Sequence, residues 1–256
     1  MRIIVALSGG KASAWCADWA LKNFDRNKVI LYFNDTGWEH PDLYRFLKDL
    51  ERFFKKDILH DSDGRTPEQV FYDKKFLANS QRPICSRILK AERLQKFYQH
   101  EDILIFGIGA EETKRAARIT GRYQVVTAKT GKYPVLHFPI IEMGTSKREI
   151  DLFFKKNKIK TPLLYDLKFT HNNCSGGCVR AGKKQWKRLY ETLPGIYLDR
   201  ERVEKEVREH LGKDVHFFKD ETLEAFRKKI EAGDLSSYYD DEEPQDECIG
   251  ICEYLS

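Results

Sequence analysis

Residues 1–21 read MRIIVALSGGKASAWCADWAL, and the fold class turns on them. Met1 to Leu7 form a short apolar run that includes Ile3, Ile4 and Val5 and is cut off by Ser8-Gly9-Gly10, the pattern of a buried parallel strand ending in a tight loop. From Lys11 to Asn23 the apolar residues Ala14, Trp15, Ala17, Trp19, Ala20 and Leu21 recur at helical spacing, and Val29 to Phe33 reads as the next strand. The unit is therefore β-loop-α-β. Downstream, Pro41 to Phe54 carries Leu43, Phe46, Leu47, Leu50, Phe53 and Phe54 on one helical face. Lys90 to Tyr98 is predicted helical, and Ile103 to Ile108 repeats the opening pattern of an apolar run followed by small residues. Such alternation predicts an α/β protein with a doubly wound, mostly parallel sheet.

Beyond residue 138, Phe138-Pro139-Ile140-Ile141 reads as a further strand, and Lys147 to Lys156 as a helix started by Thr145-Ser146. Asp166 to Gly182 holds a glycine-rich, cysteine-bearing loop, HNNCSGGCVRAG, followed by a helix from Lys183 to Tyr190. Residues 200–231 are charged and helical, with Leu223, Phe226 and Ile230 as the inner stripe, before an acidic tail ending CIGICEYLS. This organisation predicts a nucleotide-binding α/β domain over 1–165, with a cysteine-loop and helical region over 166–256 packed on it.

With 256 residues, 41% apolar and 33% charged, the chain can bury a sizeable core. A collagen, a disulfide-stapled miniprotein and a disordered tail are excluded. No run approaches the roughly 18 apolar residues of a membrane span, and MRIIVALSGG turns to glycine and lysine too early for a secretory leader, so the expectation is a soluble, cytoplasmic protein. The formal charge of +5 suits an anionic ligand without establishing nucleic-acid binding. Six cysteines, Cys16, Cys85, Cys174, Cys178, Cys248 and Cys252, include two C-x3-C pairs. In a reducing compartment these point to metal or redox sites rather than structural disulfides. Cys16, on an apolar helix face, reads as core.

Ser8-Gly9-Gly10 lies where unhindered amides and a helix N-terminus can surround phosphate, with Lys11 adding charge. The Walker spacing and the dinucleotide fingerprint are both absent. Asp35-Thr36-Gly37 follows the second strand, at the sheet edge where ligands bind. Together, ALSGGKASAW and YFNDTGWEHPDLYRFL resemble the adenine nucleotide alpha hydrolase group: the PP-loop ATP pyrophosphatases, the ATP sulfurylase small subunit and the phosphoadenylyl-sulfate (PAPS) reductases. QRPICSRILK at Gln81 to Lys90, GIGAEETKRAAR at Gly107 to Arg118, and the stretch from Pro139 to Cys178 containing PIIEM, PLLYDLKF and CSGGC are similar to later segments of adenylyl-sulfate (APS) and PAPS reductases, in the same order. The resemblance spans roughly residues 1–190.

The resemblance implies that Ser8, Gly9, Gly10, Lys11 and Ser13 cradle the phosphates of ATP, or of APS or PAPS. It further implies that Asp35, Thr36 and Gly37 line the adenosine or pyrophosphate end, and that Gly107, Glu111, Glu112 and Arg115 close the pocket. Cys85, Cys174 and Cys178 would hold a four-iron four-sulfur cluster, with zinc as the alternative metal. Cys248 and Cys252, where Glu247-Cys248 echoes the mobile C-terminal cysteine of the reductases, would act with Lys11 in catalysis. Three departures stand out: Ala12 replaces the usual aspartate that helps organise magnesium, Gly109 stands where an arginine is frequent, and Cys85-Ser86 replaces a cysteine pair.

The leading expectation is an ATP-using, adenylating sulfurtransferase with an iron-sulfur cluster. Its acceptor would be tRNA or DNA, and it would need a separate sulfur donor; a homodimer is compatible. One alternative is a thioredoxin-dependent APS or PAPS reductase, and another a non-catalytic nucleotide-binding module of a phage or mobile-element system. Arg180, Lys183, Lys184, Lys187 and Arg188, with Trp186 among them, read either as a phosphate-contacting patch or as a solvated helix face.

Overall fold

The computed structural model describes residues 1–234. In chain order, β1 (Ile3–Leu7), α1 (Lys11–Asn23), β2 (Val29–Asp35), α2 (Pro41–Phe54), β3 (Ile58–Ser62) and α3 (Pro67–Lys74) form the first half. A continuous helical stretch follows: α4 (Ile84–Ser86), a wide π turn (Arg87–Ala91) and α5 (Glu92–Phe97). Next come β4 (Ile103–Phe106), α6 (Thr113–Thr130), β5 (Val135–His137), α7 (Pro139–Glu142), α8 (Lys147–Lys156) and α9 (Leu163–Asp166). A 3-10 turn (Asn173–Gly176), α10 (Lys183–Thr192), α11 (Pro194–Leu211) and α12 (Leu223–Glu231) complete the described chain.

The strands form one parallel sheet in the order β3-β2-β1-β4-β5. The chain winds outward from β1 through β2 to β3, then returns to β4 on the other side of β1. The loops after β1 and β4 therefore part at the topological switch point, the position where open α/β sheets bind ligands. Side-chain alternation gives the sheet two buried faces. Ile3, Val5, Leu7, Leu31 and Phe33 pack with α1, α2 and α8, whereas Ile4, Tyr32, Leu104 and Phe106 pack with α5 and α6. Each fully buried Ile, Leu or Phe contributes roughly 1.5–3 kcal/mol before entropy is counted. A third apolar cluster joins Trp38, Phe71, Cys85 and Leu89 to Leu164, Trp186, Tyr197, Phe217 and Phe226, so the C-terminal helices and the segment before β4 share a core.

Two sequence expectations need correction. Phe138 to Ile141 is not a strand: β5 ends at His137, and Pro139 opens the single turn α7. Proline at the first helical position has no amide to lose, and the Glu142 carboxylate accepts the Phe138 amide at 2.7 Å, which fixes the turn. Residues 200–231 are not one helix either. Gly212, left-handed at φ +57°, caps α11, and Thr222 starts α12 by accepting the Ala225 amide. By contrast, α1, α2 and α8 have the expected bounds, and α8 begins in a capping box between Ser146 and Glu149.

Candidate functional site

The Ser8-Gly9-Gly10 loop, the expected phosphate site, is held by short side chains and by tight glycine packing. Gly9 has φ +78°, and a Cβ there would stand 2.2 Å from Leu43 Cδ1. The Ser13 hydroxyl donates to Gly10 O (3.0 Å) and accepts the Ser8 amide (3.1 Å), while Ser8 Oγ accepts the Gly10 amide at 3.3 Å. Tyr165, in α9, accepts the Lys11 amide at 3.3 Å. That tyrosine is positioned through α2, because Asp42 accepts the Leu163 amide at 2.7 Å and Arg45 binds both Asp42 oxygens. Hydrogen bonding to Arg45 pulls the Asp42 pKa down to about 2. The Lys11 ammonium is turned to Asp151 in α8 (2.5 Å) and lies 4.7 Å from the Tyr165 ring centre. Its charge is thus shared with a carboxylate rather than aimed solely at the loop.

After β2, Asp35 accepts the Gly37 amide (2.8 Å) and the Tyr44 hydroxyl (2.9 Å), and Gly37 takes φ +71°. Thr36 is buried and donates to Glu39 Oε1 at 3.1 Å. Glu39 ties the loops together. Its side chain is fully buried, meets Lys90 Nζ at 3.4 Å and accepts the Cys174 amide at 2.8 Å. Ser175 adds a hydroxyl bond to Trp38 O at 2.9 Å, and Asn172 Nδ2 reaches Gly9 O at 3.4 Å. The cysteine loop is therefore fastened to both nucleotide loops. Asn172 Oδ1 and Asn173 Nδ2 are buried with no hydrogen-bond partner among the described residues.

After β4, a Cβ on Gly107 would stand 2.5 Å from Ser13 N, so the loop can touch the start of α1 only through a glycine. Glu112 accepts the Gly109 amide (2.8 Å) and pairs with buried Arg115 (2.5 Å), while Glu111 pairs with Lys147, which holds its carboxyl below the usual range. Of the expected pocket-closing charges, Glu112 and Arg115 are engaged with each other and Glu111 with Lys147.

Cys85, Cys174 and Cys178 are buried and line one tight cavity of about 10 Å³ with Thr36, Trp38, Ser86, Lys90 and Arg180. Cys85 arrives on α4, ahead of the π turn that carries Lys90. Cys174 and Ser175 both take left-handed φ (51° and 55°), a strain that the bonds to Glu39 and Trp38 sustain. Among the described residues no three His, Cys, Asp or Glu side chains are arranged to hold a metal ion. The three thiols match an iron-sulfur cluster in donor type and in lining one cavity, which Lys90 and Arg180 share. Cys248 and Cys252 lie outside the described residues. Cys16 belongs to the core, where burial pushes its thiol far up and away from reactivity.

On the basic helix, two of the lysines are paired with carboxylates of the fold. Trp186 is fully buried, Lys183 pairs with Asp220 (2.8 Å) and Glu221 (2.7 Å), and Lys187 pairs with Glu191 (2.7 Å). Sequence reasoning passed over Glu39, Trp38, Lys90, Tyr165, Asn172 and Arg200. A carboxylate inside the apolar-flanked DTGWEH stretch was a signal for Glu39, and the PLLYDLKF motif one for Tyr165.

A phosphate loop at the switch point of a parallel sheet, backed by two further loops at the same edge, defines a nucleotide-binding protein of the adenine nucleotide alpha hydrolase fold. The family model for the phosphoadenosine phosphosulfate reductase domain matches residues 2–181, and the chain belongs to that family, whose members are typically enzymes. Neither the curated proteins nor the solved structures contain a match to the chain. Among the described residues no helix is long and apolar enough to cross a membrane.

Proposed function

We propose that the chain is an ATP-using sulfurtransferase: ATP activates an acceptor oxygen as its adenylate with loss of pyrophosphate, and a sulfur anion then displaces AMP. The observation that carries this reading is the fastening of the CSGGC loop to both nucleotide loops, through Glu39 to Cys174 and Asn172 to Gly9. An activated acceptor at the phosphate loop would lie beside the thiols. The amides of Gly10 and Lys11 are engaged by hydroxyls at 3.3 Å, long contacts that phosphate oxygens can displace. Those amides and the α1 N-terminus then stabilise the charge that develops on pyrophosphate, with Lys11 exchanging Asp151 for phosphate. Cys85, Cys174 and Cys178 would hold an iron-sulfur cluster, which when bound supplies a soft iron to which sulfur can attach. Ala12 provides no carboxylate at the loop, so magnesium would be held chiefly by the phosphates. The acceptor class, tRNA or DNA, follows from the resemblance alone.

The family match carries a second reading, thioredoxin-dependent reduction of APS or PAPS. One experiment separates the two. The chain is purified anaerobically, assayed for iron and acid-labile sulfide, and offered ATP, APS and PAPS. Iron and sulfide with pyrophosphate release from ATP, enhanced by tRNA or DNA, support the first reading. Thioredoxin-dependent sulfite release from APS or PAPS overturns it in favour of the second, and binding without turnover overturns both.

A further inference from the structure

The family match ends at residue 181, yet one side chain from beyond it packs behind Trp38, a residue of the thiol pocket's wall. Arg200, on α11, is buried, and its guanidinium carbon stands 3.6 Å from the centre of the Trp38 ring. Its aliphatic stem passes the cysteine loop so closely that a Cβ on Gly177 would lie 3.3 Å from Arg200 Cγ. One end of the guanidinium is satisfied by Asp199 at 2.6 Å, whereas Nε is buried with no hydrogen-bond partner among the described residues. Burial pulls the guanidinium below the ordinary arginine range. Helix α11 is itself pinned. Glu204, one turn on, accepts the amides of Phe217 (2.8 Å) and Leu223 (2.6 Å), and the Tyr197 hydroxyl donates to Leu223 O at 2.7 Å.

We propose that Arg200 is a positioning residue of the thiol pocket: it braces Trp38 against the cysteine loop and holds a fixed positive charge beside that loop. The helical region after residue 181 thereby backs the site. This inference rests on the reading of Cys85, Cys174 and Cys178 as cluster ligands. A buried cation beside a thiolate-bound cluster favours its more reduced, more negative state, because charges interact strongly where water is excluded. Removing that charge lowers the reduction potential.

The test is anaerobic spectroelectrochemistry of the full-length wild type, R200M, R200K and D199N, with iron content and circular dichroism recorded for each. R200M keeps the side-chain bulk without charge, and its midpoint potential is expected to fall. R200K keeps the charge and is expected to stay near wild type, which a purely packing role would not produce. D199N changes a half-exposed partner, is the variant least able to disturb folding, and removes a counter-charge, so its potential is expected to rise. Loaded, folded R200M with the wild-type potential, or R200K shifted as far as R200M, overturns the inference alone. Should R200M not fold, an unshifted D199N overturns it. Wild-type protein that takes up no iron defeats the cluster reading and this inference together.

Discussion

Replacing Gly107 by alanine should loosen the phosphate loop and the fold at once. The added Cβ would lie 2.5 Å from Ser13 N, 2.6 Å from Ser13 Cα and 2.7 Å from Ala12 C. All three are backbone atoms in the first turn of α1, so no rotamer change relieves the overlap. Ordinary contact begins at 3.4 Å, and the helix start must retreat by about 0.9 Å. Behind it stand Leu43, Phe46 and Ile140, which belong to the same close-packed cluster as α1. Overpacking of this kind costs ~1–3 kcal/mol. The retreat also drags Ser13, whose hydroxyl bridges Ser8 N and Gly10 O, away from β1. Because a displacement of about 1 Å can cost ~100-fold where groups must be oriented, nucleotide affinity should fall by at least ~10-fold. Urea unfolding followed by circular dichroism should show a lower midpoint with unchanged slope, and calorimetry with ATP, APS and PAPS should show the weakened binding. Gly121, inside α6 with nothing within 4 Å of its added Cβ, is the control; alanine there should stabilise by up to ~1 kcal/mol. A Gly107→Ala chain with wild-type midpoint and wild-type affinity would falsify the proposed contact between β4 and the phosphate loop.

Two other predictions concern charge. Burial raises the Glu204 carboxyl to about 7 from its ordinary 4.5, so between those values the folded chain holds a proton there that the unfolded chain releases. Stability from this group is full below pH 4.5 and is lost as pH rises through 7, amounting to ~3 kcal/mol. Glu204→Gln should therefore flatten the decline between pH 5 and pH 8 seen in urea midpoints, and equal declines in both proteins would count against it. Asp151→Asn should release Lys11 from its half-exposed ion pair and tighten nucleotide binding about 2- to 5-fold, more at low salt; calorimetry at two ionic strengths decides, and unchanged affinity at both means that Lys11 does not face the phosphates.

Legibility in the sequence followed the distance over which a feature is determined. The first strand, α1 and α2 were readable because apolar spacing, Ser-Gly-Gly and Pro41 act within a few residues. Strand β3, Ile-Leu-His-Asp-Ser, escaped because an edge strand with Leu59 42% exposed shows no alternation, and its existence depends on pairing with β2. Helix α6 escaped for a related reason. Its Thr, Ile, Val and Gly121 weaken local helix preference, and the decision falls to Ile119 and Tyr123 packing on the sheet.

The same rule divides the candidate site. The cysteine spacing around Gly176 was visible, but spacing could not show that Cys85 shares its cavity, since that depends on a core cluster built from segments far apart in the chain. Glu39 meets the Cys174 amide across 135 residues, and Arg200 meets Trp38 from a helix that the family pattern does not reach. Charged side chains in surface-looking sequence become buried only when another segment covers them, and burial is what gives their charge leverage. A local pattern can thus identify the Ser-Gly-Gly loop at the end of the first strand. On the reading proposed above, Arg200, which lies outside the cysteine motif, is a position at which the environment of the thiols can be altered without removing a sulfur.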